Sequence, residues 1–96
     1  MFVVIAYDVN TLTKEGRRRL RKVAKLCEGV GQRVQYSVFE CQVTDTQLER
    51  LRQRIDKVVV PEEDNLRLYH IRGSRADCVE TFGRDGYVDY EDVLLV

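Results

Sequence analysis

The chain opens Met1-Phe2-Val3-Val4-Ile5-Ala6-Tyr7-Asp8-Val9, and this stretch restricts the fold more than any other. Phe2 to Ala6 is an unbroken apolar run rich in β-branched side chains, the pattern of a strand covered on both faces. Polarity then switches at Tyr7-Asp8. A carboxylate directly after such a strand stands where the sheet gives way to water or a ligand. Desolvating it without a partner is costly, so Asp8 calls for a cation, backbone donors or another protein group.

The following residues supply the elements that such a strand needs around it. Thr13 is the expected N-cap of a helix in which Leu20, Val23, Ala24 and Cys27 form an apolar stripe at helical spacing. Glu28-Gly29-Val30-Gly31 ends it. Between Gln32 and Val43 the chain reads as extended, but the apolar parity passes from Val34, Tyr36 and Val38 to Phe39, Cys41 and Val43. A change of parity predicts a bulge or tight reversal near Tyr36-Ser37, and so two short strands.

Thr44-Asp45-Thr46-Gln47 reads as a capping box opening a second helix, with Leu48, Leu51, Ile55, Val58 and Val59 as its buried stripe and Pro61 as its stop. After the polar turn Glu62–Asn65, Leu66 to Ile71 is a further strand. The order predicts an α+β, ferredoxin-like βαββαβ domain over residues 1–72, an antiparallel sheet with two helices on one face. Residues 73–96 read as an irregular acidic arm. It closes with the strand Val93-Leu94-Leu95-Val96, which needs an edge in its own sheet or in that of a second protomer.

Composition narrows the class. At 96 residues, 44% hydrophobic and 33% charged, the chain suits one soluble globular domain. No stretch approaches the ~20 apolar residues of a bilayer crossing, and no basic segment precedes the first apolar run. The expectation is a cytoplasmic protein with no membrane contact. Cys27, Cys41 and Cys78, odd in number and without a C-x-x-C pair, read as reduced thiols.

Net charge is zero, yet it is unevenly spread. Residues 13–25 hold seven basic side chains against Glu15, and residues 77–92 hold six acidic ones against Arg84. The basic block suits phosphates, whereas the acidic arm suits a basic protein surface.

Asp8 has two readings. It either accepts backbone N–H groups in an Asx-type turn or ligates a metal that meets nucleic-acid phosphate. One carboxylate makes a poor Mg²⁺ site, but a symmetric dimer brings two copies together. Two such charges ~5 Å apart repel by about 3 kcal/mol at an effective dielectric of 20, which a divalent cation converts into attraction. Arg17, Arg18, Arg19, Arg21, Lys22 and Lys25 read as phosphate-binding residues against the plainer reading of a solvated helix face. Arg33 and Ser37 point away from the apolar parity, free to meet phosphate or a partner. Phe39 is core, dimer contact or stacking platform, and Tyr7 packs, stacks or hydrogen-bonds. His70 reads as structural.

The strand ending Tyr7-Asp8-Val9, the helix beginning near Arg17 and the run Arg33-Val34-Gln35-Tyr36-Ser37-Val38-Phe39-Glu40-Cys41 resemble the small CRISPR-associated subunit of the spacer-acquisition complex. The likeness covers nearly the whole chain in length, element order and motif placement. It implies a homodimer in which Val93, Leu94 and Leu95 add to the partner's sheet. It also implies Asp8 as ligand to Mg²⁺ (or Mn²⁺) and catalytic carboxylate across the two-fold axis. Arg17, Arg19, Arg33, Ser37 and Phe39 fall at motif positions that the family associates with the site, and Tyr7 supports it.

The implied partner is the large CRISPR integrase subunit, and the implied substrates are duplex DNA or RNA. Two functions follow, a metal-dependent endonuclease and a non-catalytic DNA scaffold bridging integrase dimers. A third reading, single-strand RNA binding on Tyr7 and Tyr69, lacks the glycine-aromatic signature of that module.

Overall fold

The computed structural model describes residues 1–85, 87 and 88. Strand β1 (Phe2–Asp8) is followed by α1 (Lys14–Glu28), β2 (Gly31–Gln35), β3 (Val38–Gln42), α2 (Asp45–Val58), β4 (Asn65–Ile71) and a short α3 (Arg75–Cys78). The four strands form one antiparallel sheet in the order β2-β3-β1-β4, the ferredoxin-like arrangement expected. Val93, Leu94 and Leu95 lie outside the described residues.

Local chemistry explains the helix boundaries. The Thr13 hydroxyl accepts from the Gly16 amide at 3.0 Å, and Thr44 and Gln47 exchange reciprocal bonds of 3.1 and 2.9 Å in a complete capping box. Leu20, Val23, Ala24 and Cys27 of α1 are buried, as are Leu48, Leu51 and Ile55 of α2. They meet Val3, Ile5 and Tyr7 of β1 and Phe39 and Cys41 of β3, whose alternation puts them on the helix side. Burying side chains of this size contributes about 1.5–3 kcal/mol each. Val58 is only half-buried at the end of α2, and Val59 lies beyond it.

The apolar run of β1 marks a strand with a neighbour on each side, but its two faces differ. The helix face is sealed, whereas on the opposite face Phe2 is buried and Val4 and Ala6 are half-buried. The expected parity change is a register shift between Arg33 and Gln35, with the turn at Tyr36-Ser37.

Two expectations need correcting here. The arm is not wholly irregular, because Ser74 caps α3 with its hydroxyl 3.2 Å from the Asp77 amide. Nor does Arg33 stand on the opposite parity to the core. It pairs in register with Phe39, and its guanidinium lies 5.5 Å from that ring and 5.4 Å from Tyr36. The bulge turns the strand so that Arg33 covers the core's rim instead of leaving it.

The arm also returns to the sheet. Arg75 pairs with the buried Glu40 and with Asp85, stacks 3.7 Å from the centre of Tyr87, and so sits on the face opposite α1 and α2. The Gln32 side chain bonds both backbone groups of Val88, accepting from its amide at 2.8 Å. The β2–β3 half of the open face is therefore covered by the chain's own residues. The β1–β4 half is left to Ala6, Asp8, Asn65, Arg67 and Tyr69.

Candidate nucleic-acid and metal site

Cross-strand partners in an antiparallel pair share a face, so the registers Ala6↔Arg67 and Asp8↔Asn65 fix what surrounds Asp8. Ala6, Tyr7, Asp8, Ser37, Asn65 and Arg67 line one hollow at the end of the sheet, on the face that α1 and α2 leave open. Asp8 is exposed there. The turn beyond it is made by a different residue, since Asn10 Oδ1 accepts from the Leu12 amide at 2.9 Å. Among the described residues nothing donates to the Asp8 carboxylate, so its lone pairs face the hollow.

The loop that follows is tightly held. Gly16 is buried against it, and a Cβ at that position would stand 1.7 Å from the Asn10 carbonyl oxygen. Arg17 reaches back to the Thr11 and Leu12 carbonyls at 3.0 and 3.2 Å, bringing its guanidinium onto the segment that leaves Asp8. Arg18, Arg21, Lys22 and Lys25 are exposed on α1 and make no ion pair among the described residues. They form a solvent-facing cationic surface.

Three other residues proposed from sequence have different surroundings. Arg19 is 13% exposed and forks onto Asp64, with Nε 2.9 Å from Oδ2 and Nη2 3.0 Å from Oδ1, while Nη2 also meets Glu63 at 3.1 Å. Its Nε and Nη2 are committed to carboxylates and the side chain is largely buried, so it leaves the phosphate-binding set. Tyr7 points into the helix-side core, and its hydroxyl donates to Asp64 Oδ2 at 2.6 Å. Its side chain leaves the opposite face of the sheet from that of Asp8, although the residue also borders the hollow. Phe39 is fully buried in the core, which excludes base stacking.

Ser37 does face the hollow, and its carbonyl accepts from the Tyr7 amide at 2.9 Å. His70 is exposed with Nε2 3.3 Å from Arg52 Nη2, away from the Asp8 hollow.

The Tyr7–Asp64–Arg19 group has defined electrostatics. Burial and the neighbouring Asp64 carboxylate push the Tyr7 hydroxyl up to about 12. Burial alone would raise Asp64, but the Arg19 fork, the Tyr7 hydroxyl and the Val60 amide outweigh it and hold the carboxyl below its usual range. Sequence reading missed Asp64, Arg67 and Glu40. Arg67 had one available signal, its even spacing within Asn65–Ile71, but the register that sets it beside Asp8 spans about 60 residues and has no local trace.

No group of three or more metal-ligating side chains occurs among the described residues. The donor set is nonetheless compatible with a hard divalent cation. Mg²⁺ sites use one or two carboxylates and fill the remaining positions with phosphate oxygens and water. Asp8 supplies one open carboxylate beside the neutral oxygens of Ser37 and Asn65. A second copy of the chain would supply another. No helix of the described residues is long and apolar enough to cross a membrane.

Comparison with known proteins gives a consistent result. Residues 1–77 match the family model described as CRISPR associated protein Cas2. The chain is 40% identical over 96 residues to the CRISPR-associated endoribonuclease Cas2 1 of Moorella thermoacetica, covering 100% of both chains. It is 45% identical over 95 residues to the CRISPR-associated endonuclease Cas2 of Halalkalibacterium halodurans, covering 99% of each. Among solved structures it resembles Streptococcus pyogenes Cas2 at pH 6.5, with a TM-score of 0.81 and 46% identity over 86% of this chain and 100% of that one. A Thermus thermophilus protein, TT1823, superposes with a TM-score of 0.73 at 34% identity, over 90% and 94% of the two chains.

Proposed function

This chain belongs to the CRISPR-associated Cas2 family, and from that premise we propose that it is a nuclease that hydrolyses phosphodiester bonds with the help of a divalent cation. The observation that carries the reading is the Asp8 carboxylate, held at the end of a central strand and committed to no turn or ion pair among the described residues. Full-length relatives with 40% and 45% identity carry endoribonuclease and endonuclease names. We read CRISPR spacer acquisition as its biological setting, with the large integrase subunit as partner.

Asp8 from each of two protomers would hold the Mg²⁺ or Mn²⁺. When bound, such an ion offsets phosphate charge and lowers the pKa of a coordinated water. The chain's own residues do the rest. Arg67, on the Asp8 face, and Arg17, at the loop, attract and orient the sugar-phosphate backbone. Ser37 and Asn65 offer neutral hydrogen-bonding groups beside it. Arg18, Arg21, Lys22 and Lys25 extend phosphate contact along α1, where such contacts set position without reading bases.

The dimer belongs to the same proposal. β2 and β4 are the two outer strands of the sheet, and the arm leaves the end of β4. Val93, Leu94 and Leu95 of a second copy would add there by strand pairing.

The scaffold reading rests on a different observation, the cations on α1 that make no ion pair among the described residues, a surface suited to hold duplex DNA without any chemistry. Asp8→Asn separates the two. We expect the variant to fold and dimerise like the wild type, to lose Mg²⁺-dependent cleavage of RNA and duplex DNA, and to keep its affinity for duplex DNA. Undiminished cleavage by a rigorously purified Asp8→Asn preparation removes the nuclease reading. Spacer integration that persists without cleavage favours the scaffold.

A further inference from the structure

We propose that Asp64 is a positioning residue for Asp8, a role that rests on the nuclease reading but is carried by a separate set of contacts. Its side chain has no exposed surface, yet it stands in the loop between α2 and β4, where carboxylates ordinarily face water. Four donors converge on it. The Tyr7 hydroxyl and the Val60 amide reach Oδ2 at 2.6 and 3.1 Å, and Arg19 supplies Nε to Oδ2 at 2.9 Å and Nη2 to Oδ1 at 3.0 Å. These donors come from β1, the segment after α2, and α1.

The geometry connects this cluster to the hollow through the backbone. Tyr7 and Asp8 are consecutive in β1, so their side chains leave opposite faces of the sheet. Across the ladder, Asp64 immediately precedes Asn65, the register partner of Asp8. A single buried carboxylate therefore fixes the residue before Asp8 and the residue before its cross-strand neighbour. With Tyr7 anchored from below, the last residue of β1 cannot fray, although strand ends ordinarily do. Arg19 completes the charge balance on the helix side, which explains an arginine of the basic block that faces inward.

A buried, fully bonded carboxylate would be costly to retain for stability alone, since apolar replacements of buried ion pairs are often neutral or stabilising. Holding an open carboxylate in place for a cation is a purpose that packing does not serve as well, because hydrogen bonds fix direction and apolar contacts do not.

The test compares Asp64→Asn and the milder Tyr7→Phe with Val23→Ala, a core variant remote from the hollow. Mn²⁺ binding to the protein alone is followed by water-proton relaxation, and backbone amide exchange by NMR. We expect both clamp variants to raise the Mn²⁺ midpoint five- to tenfold. They should also speed exchange at Tyr7 and Asp8 at least tenfold more than at Val3, with Kd for duplex DNA in EDTA within twofold of wild type. Val23→Ala should speed exchange along all of β1 and leave the midpoint unchanged.

Equal effects of Val23→Ala and the clamp variants at matched loss of Tm would overturn the proposal, as would unchanged exchange at Asp8 in Asp64→Asn. Failure of the underlying metal reading looks different. Asp8→Asn would then leave Mn²⁺ binding unaltered, and the exchange pattern would still decide whether Asp64 pins the strand end.

Discussion

Glu40 and Arg75, 35 residues apart in the chain, form an ion pair on the sheet face opposite α1 and α2. Glu40 is 8% exposed, and the same guanidinium also meets Asp85 and the face of Tyr87. The pair ties the arm after β4 to the middle of β3. Half of the open face is thereby closed within one protomer.

That contact can be measured by release of the arm. Hydrogen bonds to charged groups contribute about 1.5–3 kcal/mol, and each 1.4 kcal/mol is a factor of ten. Glu40→Gln should therefore speed tryptic cleavage at the exposed Arg72 and Arg84 by about tenfold, because cleavage follows the population of the open arm. Cleavage within α1 and α2 should be little changed. A wild-type digestion profile would show that the arm is held elsewhere.

The Gly16 contact predicts a large effect from a single methyl group. Its Cβ would fall 1.7 Å from the Asn10 carbonyl oxygen, a backbone atom that moves only if the loop moves. Gly16→Ala should cost about 1–3 kcal/mol despite the better helix propensity of alanine, lowering Tm by roughly 10 °C. Calorimetry of the two proteins tests it, and an unchanged or raised Tm would contradict the close approach.

Much of the fold was legible because its signals are local. Thr13 and Thr44 announce their helices within four residues, the stripe Leu20, Val23, Ala24, Cys27 is its own evidence, and the parity change near Tyr36 forecasts the bulge. The exposed position of Asp8 at the end of β1 was also readable, since an acid after an apolar strand has few places to go. Arg19 was not, because within the run Arg17-Arg18-Arg19 only the helix's orientation decides which side chain turns inward towards Asp64. Tyr7 adjoins Asp8 in sequence and the family resemblance puts Phe39 beside the site, yet strand alternation sends both side chains to the other face.

Stability should depend on pH in two separate windows through the Tyr7–Asp64 bond. Asp64 is held below its usual range, so its contribution is complete above the unfolded carboxylate value of about 3.9 and fades as pH falls through the folded value. Tyr7 is raised to about 12, so its contribution is complete below the unfolded value of about 10 and fades as pH rises towards 12. Removing the hydroxyl in Tyr7→Phe should cost about 2 kcal/mol between pH 5 and 9. Urea titrations of both proteins should show this difference shrinking below pH 4 and above pH 10. A difference that is flat to pH 11.5 would mean that the hydroxyl is not bonded to a carboxylate.

The cationic face of α1 makes a prediction about salt. Neutralising ~6 phosphates gives a log–log slope of affinity against salt near −5. Replacing Arg18, Arg21 and Lys25 by alanine should flatten that slope by roughly 3 units, whereas Arg19→Lys should leave it nearly unchanged because that residue serves Asp64. Fluorescence anisotropy with a labelled duplex at several KCl concentrations provides the measurement. Equal loss of slope from the Arg19 variant would return it to the phosphate-binding set.

The position of β4 at one border of the sheet has a consequence for how many copies can assemble. A border strand offers a row of unsatisfied amides and carbonyls to any other chain. If one molecule docks there and passes its own border onward, growth is open-ended and yields fibres. If two molecules cap each other reciprocally, every border is used and addition stops at a pair. Asp8, on the strand next to that border, would then meet its symmetry mate once per particle, and the number of cation sites would be set by closure of the assembly.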